Sequence, residues 1–370
     1  MPSYNDLRPS TDEKKAEYAQ VFPSLTDTER KRIISRLLPL RSELTSAIPS
    51  KRTDDNLLLA TWNLKEFGFY TDRLAESYYY IAEIISRFDL VAIQEVKRGL
   101  RDLDILMRLL GTDWKYIITD VTEGVDGNRE RFAYVYDSRR VQPSGLSGEL
   151  VLWEELTASS GIKQLKRTPA ITGFIAGWKE FAIVNVHLCP GPGPQDREYR
   201  QEEVRLLLQA IHEKYVKGHL WNENLLLLGD TNLYRSDSDT VALFSDNQFR
   251  ESSGLAGKFT NVSNTEIYDR IFLRVNEFFR LKSTDNVESG NVLSFFDHVF
   301  TENERAAYHA IMREHKTNPA TLKEDKHYKS YYHRYWKRNQ ISDHNPVWIE
   351  IEINSSDDFL KKKLQALKDH

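Results

Sequence analysis

The chain has 370 residues and a formal net charge of −4, from 51 Lys and Arg against 55 Asp and Glu. Hydrophobic residues make up 40% of it and charged residues 29%, which is typical of a globular protein and excludes a disordered or fibrous one. No window approaches about 18 consecutive apolar residues, so we predict no transmembrane helix. The acidic total, taken alone, argues against a nucleic-acid partner.

Cys189 is the single cysteine, so an internal disulfide bond and a cysteine-based zinc site are both excluded. A packed thiol is a better interpretation of this residue than a nucleophile. The N-terminus is polar and shows no secretory signal. A chain without disulfides suits a reducing compartment, and we expect a cytoplasmic protein.

Residues 1–55 are predicted to form a helical prefix and a connector. Thr26 and Glu29 have the spacing of a capping box, and apolar residues follow at helical intervals from Ile33 onwards. Pro39 is expected to break or kink this run. We interpret the prefix as a packing or dimerising element, and the sequence leaves the oligomeric state open.

From residue 56 onwards, short apolar runs each end in a polar residue, at 57–63, 90–95, 181–187 and 225–230. Such runs are typical of strands that are buried on both faces. Apolar residues spaced for amphipathic helices lie between some of them, at 74–88 and 204–215. The pattern predicts an α/β catalytic domain over 56–354, with a last strand at 346–353, followed by a C-terminal helix within 355–370.

The segment 306–340 differs in composition from the rest of the chain. It holds eight Lys and Arg against three Asp and Glu, four of the ten histidines and six Tyr and Trp. Interleaved cations and rings suit a nucleic-acid strand, and this helical insertion directly precedes the last strand. The candidate substrate-binding residues are Lys329, Arg334, Lys337 and Arg338. The alternative is an amphipathic insertion whose rings pack on the domain and whose charges are solvated.

Polar residues at the ends of the apolar runs form the candidate site. Because strand ends of an α/β sheet converge on one edge, these side chains can meet in one pocket. A single such residue is more often a helix cap or a turn residue, but a joint set is much less often accidental. The set is Asn63, Glu95, His187, Asp230, Asn232, Asp343 and His344.

The residue types in this set indicate a particular chemistry. Carboxylate and amide oxygens suit a hard cation such as Mg²⁺ or Ca²⁺. Two histidines near that cation can take a proton from water and give one to a leaving oxygen, each worth roughly 10²- to 10⁴-fold in rate. This combination favours in-line attack of water on a phosphate ester.

Four motifs occur in one order along the chain: TWNL at 61–64, IQEV at 93–96, GDTN at 229–232 and SDHNPV at 342–347. They resemble the signatures of the endonuclease/exonuclease/phosphatase superfamily over residues 57–353. The resemblance implies a four-layer α/β/β/α sandwich of two mixed β-sheets with helices outside. Further segments are similar to the deoxyribonuclease I-like branch: WNLKEFG at 62–68, ERFAY at 130–134, RTPA at 167–170 and YDRI at 268–271.

Carried over by these motifs, the resemblance implies a Mg²⁺-dependent endonuclease, with Ca²⁺ or Mn²⁺ as other cofactors, that cleaves DNA to 3′-hydroxyl and 5′-phosphate ends. It implies that Glu130 orients His187 and that Asp269 orients His344. We expect His344 to assist the attacking water and His187 to act on the opposite side. The resemblance implies that Glu95 is the main metal ligand, with Asn63 and Asp343 nearby. Asp230 and Asn232 would position the phosphate or a second cation. Arg167 would contact the phosphate.

Three departures from this branch affect substrate preference. Lys65 and Lys97 stand where the branch has arginines against the minor groove, and lysine lacks the planar, forked donor set of arginine. Asn128 stands where the branch has a tyrosine that stacks on DNA.

Two kinds of function remain as alternatives to a DNA endonuclease. The first is another enzyme of the same superfamily: an inositol-phosphate phosphatase, a lipid phosphodiesterase or an abasic-site endonuclease. The second is a non-catalytic nucleic-acid-binding protein on this fold.

Overall fold

The computed structural model describes residues 2–12, 20–122, 127–218 and 222–368. No helix in these ranges is long and apolar enough to cross a bilayer. The described α-helices are α1 (Asp27–Ala47), α2 (Ala75–Ile85), α3 (Arg101–Leu110), α4 (Glu154–Thr157), α5 (Pro194–Val216), α6 (Ser238–Asp246), α7 (His309–His315), α8 (Asp325–Tyr331), α9 (Lys337–Gln340) and α10 (Ser356–Lys368).

The described strands form two six-stranded sheets and one small hairpin. They are β1 (Asn56–Phe67), β2 (Leu90–Lys97), β3 (Trp114–Ile118), β4 (Glu130–Asp137), β5 (Gln142–Glu149), β6 (Ala170–Ala176), β7 (Lys179–His187), β8 (Leu225–Asp230), β9 (Arg250–Glu251), β10 (Asp269–Arg274), β11 (Ser283–Thr284), β12 (Val287–Glu288), β13 (Gly290–Val292) and β14 (Val347–Glu352).

The first sheet has the strand order β13-β14-β1-β2-β4-β3, and the second has the order β5-β6-β7-β8-β10-β9. Both are mixed, because β1 pairs in parallel with β2 and β7 with β8, whereas the other ladders of the two sheets are antiparallel. Fully buried residues such as Leu59, Leu90, Ile183 and Leu228 form one core between the two sheets. The apolar runs of the sequence are therefore strands buried on both faces, as predicted.

Helices cover the two outer faces. Side chains of α1, α2, α3 and the segment 302–340 share one core with the first sheet, and those of α5 and α6 share another with the second sheet. The predicted four-layer α/β/β/α sandwich is confirmed.

The prefix is part of the first outer layer. Thr26 and Glu29 form the predicted capping box, in which Thr26 Oγ1 accepts from Glu29 N at 3.2 Å and Thr26 N donates to Glu29 Oε2 at 2.8 Å. The expectation that Pro39 breaks the helical run is wrong, because α1 continues to Ala47. Pro39 lies on the exposed face of α1, where the carbonyl of Ser35, deprived of its helical donor, is able to bind water.

The segment 306–340 forms α7, α8 and α9, with a 3₁₀ helix at Pro319–Thr321 and a π-helical turn at Tyr332–Trp336 between them. Its rings at Tyr308, Tyr332 and Trp336 are 2% exposed or less and pack in the same core as α1 and α2. The interpretation of these rings as base-stacking residues is wrong, since a buried ring presents no face to a nucleic acid. The side chains of Lys329 and Arg334 are exposed.

Candidate active site

Three neighbouring strands of the second sheet place their polar ends side by side. His187 at the end of β7 lies opposite Asp230 at the end of β8, and Asp230 lies opposite Asp269 at the start of β10. Residues directly opposite one another on paired strands project to the same face of the sheet. All three are 4% exposed or less, so two carboxylates and an imidazole are buried at one edge.

Local backbone irregularities in the first sheet direct further polar groups to this edge. The β2–β4 ladder shifts register between Ile93 and Val96, and Glu95 adopts φ +60° within the shift. Such bulges re-aim side chains at functional sites. In the second sheet, Gly229 has φ +134°, and a Cβ there would lie 2.1 Å from the carbonyl oxygen of Val186.

Asn63 connects the two sheets at the centre of the site. Its Nδ2 donates to Glu95 Oε1 and to Asp230 Oδ2, both at 2.9 Å. Its Oδ1 is buried and has no hydrogen-bond partner among the described residues. The Asn63 amide nitrogen therefore holds the carboxylates of Glu95 and Asp230 close together between the sheets.

The two histidines form matching pairs with carboxylates. His187 Nδ1 lies 2.9 Å from Glu130 Oε2, and His344 Nδ1 lies 2.8 Å from Asp269 Oδ2. The two Nε2 atoms lie 3.5 Å and 3.7 Å from Asp230 Oδ2. Each ring thus has its far nitrogen held by a carboxylate and its near nitrogen turned toward the same central oxygen.

Burial and charge act in opposite directions on the pKa values of these groups. Burial and Arg167 lower the pKa of His187, but Glu130 and Asp230 outweigh them and raise it. Burial lowers the pKa of His344, whereas Asp269 and Asp230 raise it well above the ordinary value.

The carboxylates of the two pairs differ. Burial raises the pKa of Glu130, but His187, Arg167 and Lys97 lower it by more, so it lies below its usual range. Burial raises the pKa of Asp269, and His344 offsets only part of this increase. The Glu130 pair is therefore surrounded by cations, whereas Asp269 faces a second anion, Asp230.

One open cleft gathers the predicted residues. Asn63 and Asp269 are buried and contact residues of its lining. Sequence reasoning gave no role to Glu66, Tyr70 or Pro190, although Glu66 lies within the WNLKEFG segment at 62–68. The lining consists of Lys65, Glu66, Tyr70, Glu95, Asn128, Glu130, Arg167, His187, Pro190, Asp230, Asn232, Asp343 and His344.

The predicted substrate-binding cations separate into two groups. In the cleft, Lys65 Nζ lies 2.7 Å from Asp343 Oδ2, and Arg167 Nε lies 3.2 Å from Glu130 Oε2. The Nη1 atom of Arg167 is buried without a hydrogen-bond partner among the described residues, so it is available to a bound anion.

The other predicted cations lie outside the cleft lining. Lys97 is only 7% exposed and its Nζ lies 3.2 Å from Glu130 Oε1, so its ammonium group is paired with that carboxylate. Lys337 Nζ lies 4.4 Å from the ring centre of Phe296, and Arg338 donates to Ser263 Oγ at 2.9 Å. The exposed Lys329 and Arg334 complete this second group.

The donor atoms fit a divalent cation. Two groups have ligand atoms within 4.8 Å of one another, Glu95 with His187 and Asp230, and Asp230 with Asp269 and His344. The unpaired Asn63 Oδ1 lies on the same side chain that bonds Glu95 and Asp230, and adds a neutral oxygen donor. A set dominated by oxygen atoms is the type that Mg²⁺ and Ca²⁺ take.

No family model matches the sequence. Human deoxyribonuclease-1 is 26% identical over 212 residues, which cover 54% of this chain and 67% of that protein. A deoxyribonuclease from Thioalkalivibrio sp. (strain K90mix) is 23% identical over 317 residues, which cover 84% of this chain and 75% of that one.

Among solved structures, an endonuclease/exonuclease/phosphatase family protein from Bacteroides thetaiotaomicron shares the fold with a TM-score of 0.52 at 18% identity. The match covers 81% of this chain and 99% of that one. The shared fold is the two-sheet sandwich described above. In sequence the chain is therefore similar to deoxyribonuclease-1, and its fold resembles that of the endonuclease/exonuclease/phosphatase superfamily.

Proposed function

We propose that the protein is a divalent-metal-dependent endonuclease that hydrolyses DNA phosphodiester bonds and leaves 3′-hydroxyl and 5′-phosphate ends. The observation that carries the proposal is the pair of carboxylate-held histidines on either side of Asp230. Mg²⁺ is the cation we favour, with Glu95, Asn63 and Asp343 as its holders. When bound, the cation stabilises the negative charge on the phosphoryl oxygens.

The residues of the chain have distinct tasks in this proposal. His344 takes the proton of the attacking water, whose oxygen forms the new bond to phosphorus. The bond from phosphorus to the 3′ oxygen breaks, and His187 gives that oxygen a proton. Glu130 and Asp269 hold the Nδ1–H groups, which leaves each Nε2 to exchange the proton.

Anion binding is assigned to three further residues. Arg167, with its unpaired Nη1, binds a phosphoryl oxygen. Asn232, whose Nδ2 donates to the carbonyl of Leu188 at 3.1 Å, is held beside Asp230 and positions the phosphate with it. Lys65 at the cleft edge contacts the DNA backbone.

Nicking of supercoiled plasmid in Mg²⁺, with and without chelator, tests the proposal. We expect chelator-sensitive nicking by the natural sequence and a loss of at least about 100-fold in His187→Ala and His344→Ala. His212→Ala is the matched control, because His212 is exposed on α5. Absence of nicking, or equal nicking by all variants, contradicts the proposal. Phosphate release from a phosphomonoester without nicking favours a phosphatase.

A second substrate distinguishes which histidine acts as the general base and which as the general acid. The p-nitrophenolate of bis(p-nitrophenyl) phosphate leaves without a proton, so the residue that protonates the leaving oxygen becomes dispensable. We expect His187→Ala to retain most of its activity on this substrate, whereas His344→Ala loses it. The reverse result exchanges the two assignments.

A further inference from the structure

An exposed aromatic ring stands beside the cleft and has no part in the machinery described above. The ring of Phe69 is 63% exposed. Its centre lies 5.4 Å from that of Tyr70, in an edge-on arrangement. Tyr70, Glu66 and Lys65 line the cleft, so Phe69 lies at its rim.

The backbone that carries Phe69 forms a tight turn. Phe69 N donates to the carbonyl of Glu66 at 2.9 Å, and the turn contains φ values of +45° at Glu66 and +101° at Gly68. A Cβ at Gly68 would lie 2.0 Å from the carbonyl oxygen of Gly99, so the turn is pressed against the segment that follows β2. Only glycine fits at this close approach.

Buried polar contacts hold the turn in place. Asp102 Oδ2 accepts from Gly68 N and from Arg73 Nη1, both at 3.1 Å. Arg73 Nη2 donates to the carbonyl of Lys65 at 2.9 Å, and Tyr78 donates to Asp102 Oδ1 at 2.7 Å. Arg73 and Asp102 are 6% and 1% exposed. The turn therefore presents Phe69 from a fixed backbone, which limits the ordering entropy lost when a ligand binds to the ring.

We propose that Phe69 is a stacking platform for a nucleobase of the strand bound in the cleft; this rests on the proposed function. A nucleic acid alternates phosphates and bases, so a strand whose phosphate occupies the cleft carries a base to its rim. Lys65 lies four residues away and supplies a cation for the neighbouring backbone. Stacking on an aromatic side chain is tolerant of base identity, which predicts weak sequence preference at this position.

The test compares Phe69→Ala, Phe69→Trp and the natural sequence on a DNA oligonucleotide, on an abasic oligomer of equal length and on bis(p-nitrophenyl) phosphate. We expect Phe69→Ala to raise KM for the DNA roughly fivefold or more, with kcat little changed, and Phe69→Trp to keep the natural KM. The abasic oligomer and the small diester should not distinguish the three proteins.

Trp178→Ala is the matched control, since Trp178 is 58% exposed in the turn between β6 and β7, at the other end of β7 from His187. An unchanged KM for DNA in Phe69→Ala overturns the stacking proposal while leaving the proposed function intact. A penalty that persists on the abasic oligomer also overturns it, because the ring then contacts the backbone or a non-base group. Failure of the natural sequence to cleave DNA contradicts the proposed function itself.

Discussion

The cleft and the insertion 306–340 distribute their side chains in opposite ways. In the insertion the rings of Tyr332 and Trp336 are buried, and the charges of Lys329 and Arg334 face solvent. In the cleft Glu130, Arg167 and Asp230 are buried, and an aromatic ring, Phe69, is exposed at the rim. The first distribution is the ordinary one for a stable domain, whereas the second costs stability unless a ligand uses it.

The difference shows that composition alone does not identify a binding surface. The insertion has the residue types that suit a nucleic acid, but its rings at Tyr308, Tyr332 and Trp336 pack in the core of the first outer layer. The cleft draws its charges from several distant strands, so its local composition is unremarkable at each one. If this comparison is right, substitutions in the cleft reduce activity without loss of stability, and those in the insertion do the reverse.

The largest effect is expected for Asp269→Asn in the cleft. The variant removes the carboxylate that holds His344, and we expect nicking to fall by roughly 10²- to 10⁴-fold. Because asparagine has the shape of aspartate and its Oδ1 can still accept from His344 Nδ1, the thermal midpoint in chelator should change little. A large drop in the midpoint with activity retained would remove the contrast between the two regions.

Trp336→Ala in the insertion should show the opposite result. Trp336 is 2% exposed and its ring centre lies 4.8 Å from that of Tyr308 and 5.6 Å from that of Phe300. Truncation of a buried Trp costs about 3–5 kcal/mol in the free energy of unfolding, measurable by urea denaturation. Tyr335→Ala is the control, since Tyr335 is 59% exposed and should change stability by less than about 0.5 kcal/mol.

A smaller effect is expected from the exposed cations of the insertion. Neutralising Lys329 and Arg334 to Gln should change the KM for DNA by less than roughly threefold, since neither lines the cleft. The slope of log affinity against log salt reports the number of phosphate contacts, at about 0.9 per contact. A slope reduced by about two units in the double variant would show that the insertion binds the backbone after all.

The smallest effect is expected for Glu302→Gln, next to the insertion. Glu302 Oε2 lies 2.5 Å from His333 Nε2, and Oε1 lies 3.0 Å from Arg305 Nε. Burial raises the pKa of Glu302, but His333 and Arg305 lower it by more, to below the ordinary 4.5. A lowered pKa stabilises the fold above pH 4.5, and this contribution is lost as the pH falls through the lowered value.

Thermal unfolding at several pH values measures this contribution. Because the pair is solvent-exposed, the variant should be less stable by only about 0.2–1 kcal/mol above pH 4.5. The difference should disappear in more acidic solution. A difference that grows with acidity would mean that Glu302 acts through a contact other than these ion pairs.

Several features could be predicted from sequence because they depend on local patterns. The capping box at Thr26 and the buried strands that carry Asn63, Glu95, His187 and Asp230 follow from residue spacing and apolar runs. The continuation of α1 through Pro39 could not be predicted. It depends on the packing of Leu40 and Leu44 in the core, which stabilises the helix beyond the proline.

The sequence by itself determined the order of the motifs, the alternation of buried strands and helices, and the chemical types available at the strand ends. Tertiary structure decided which of them meet: strand register places His187, Asp230 and Asp269 side by side, and the turn at Gly68 exposes Phe69. It also buried Lys97 in an ion pair with Glu130 and the rings of Tyr308, Tyr332 and Trp336 in a core. Burial and orientation depend on contacts between residues far apart in the chain, and local composition contains no record of them.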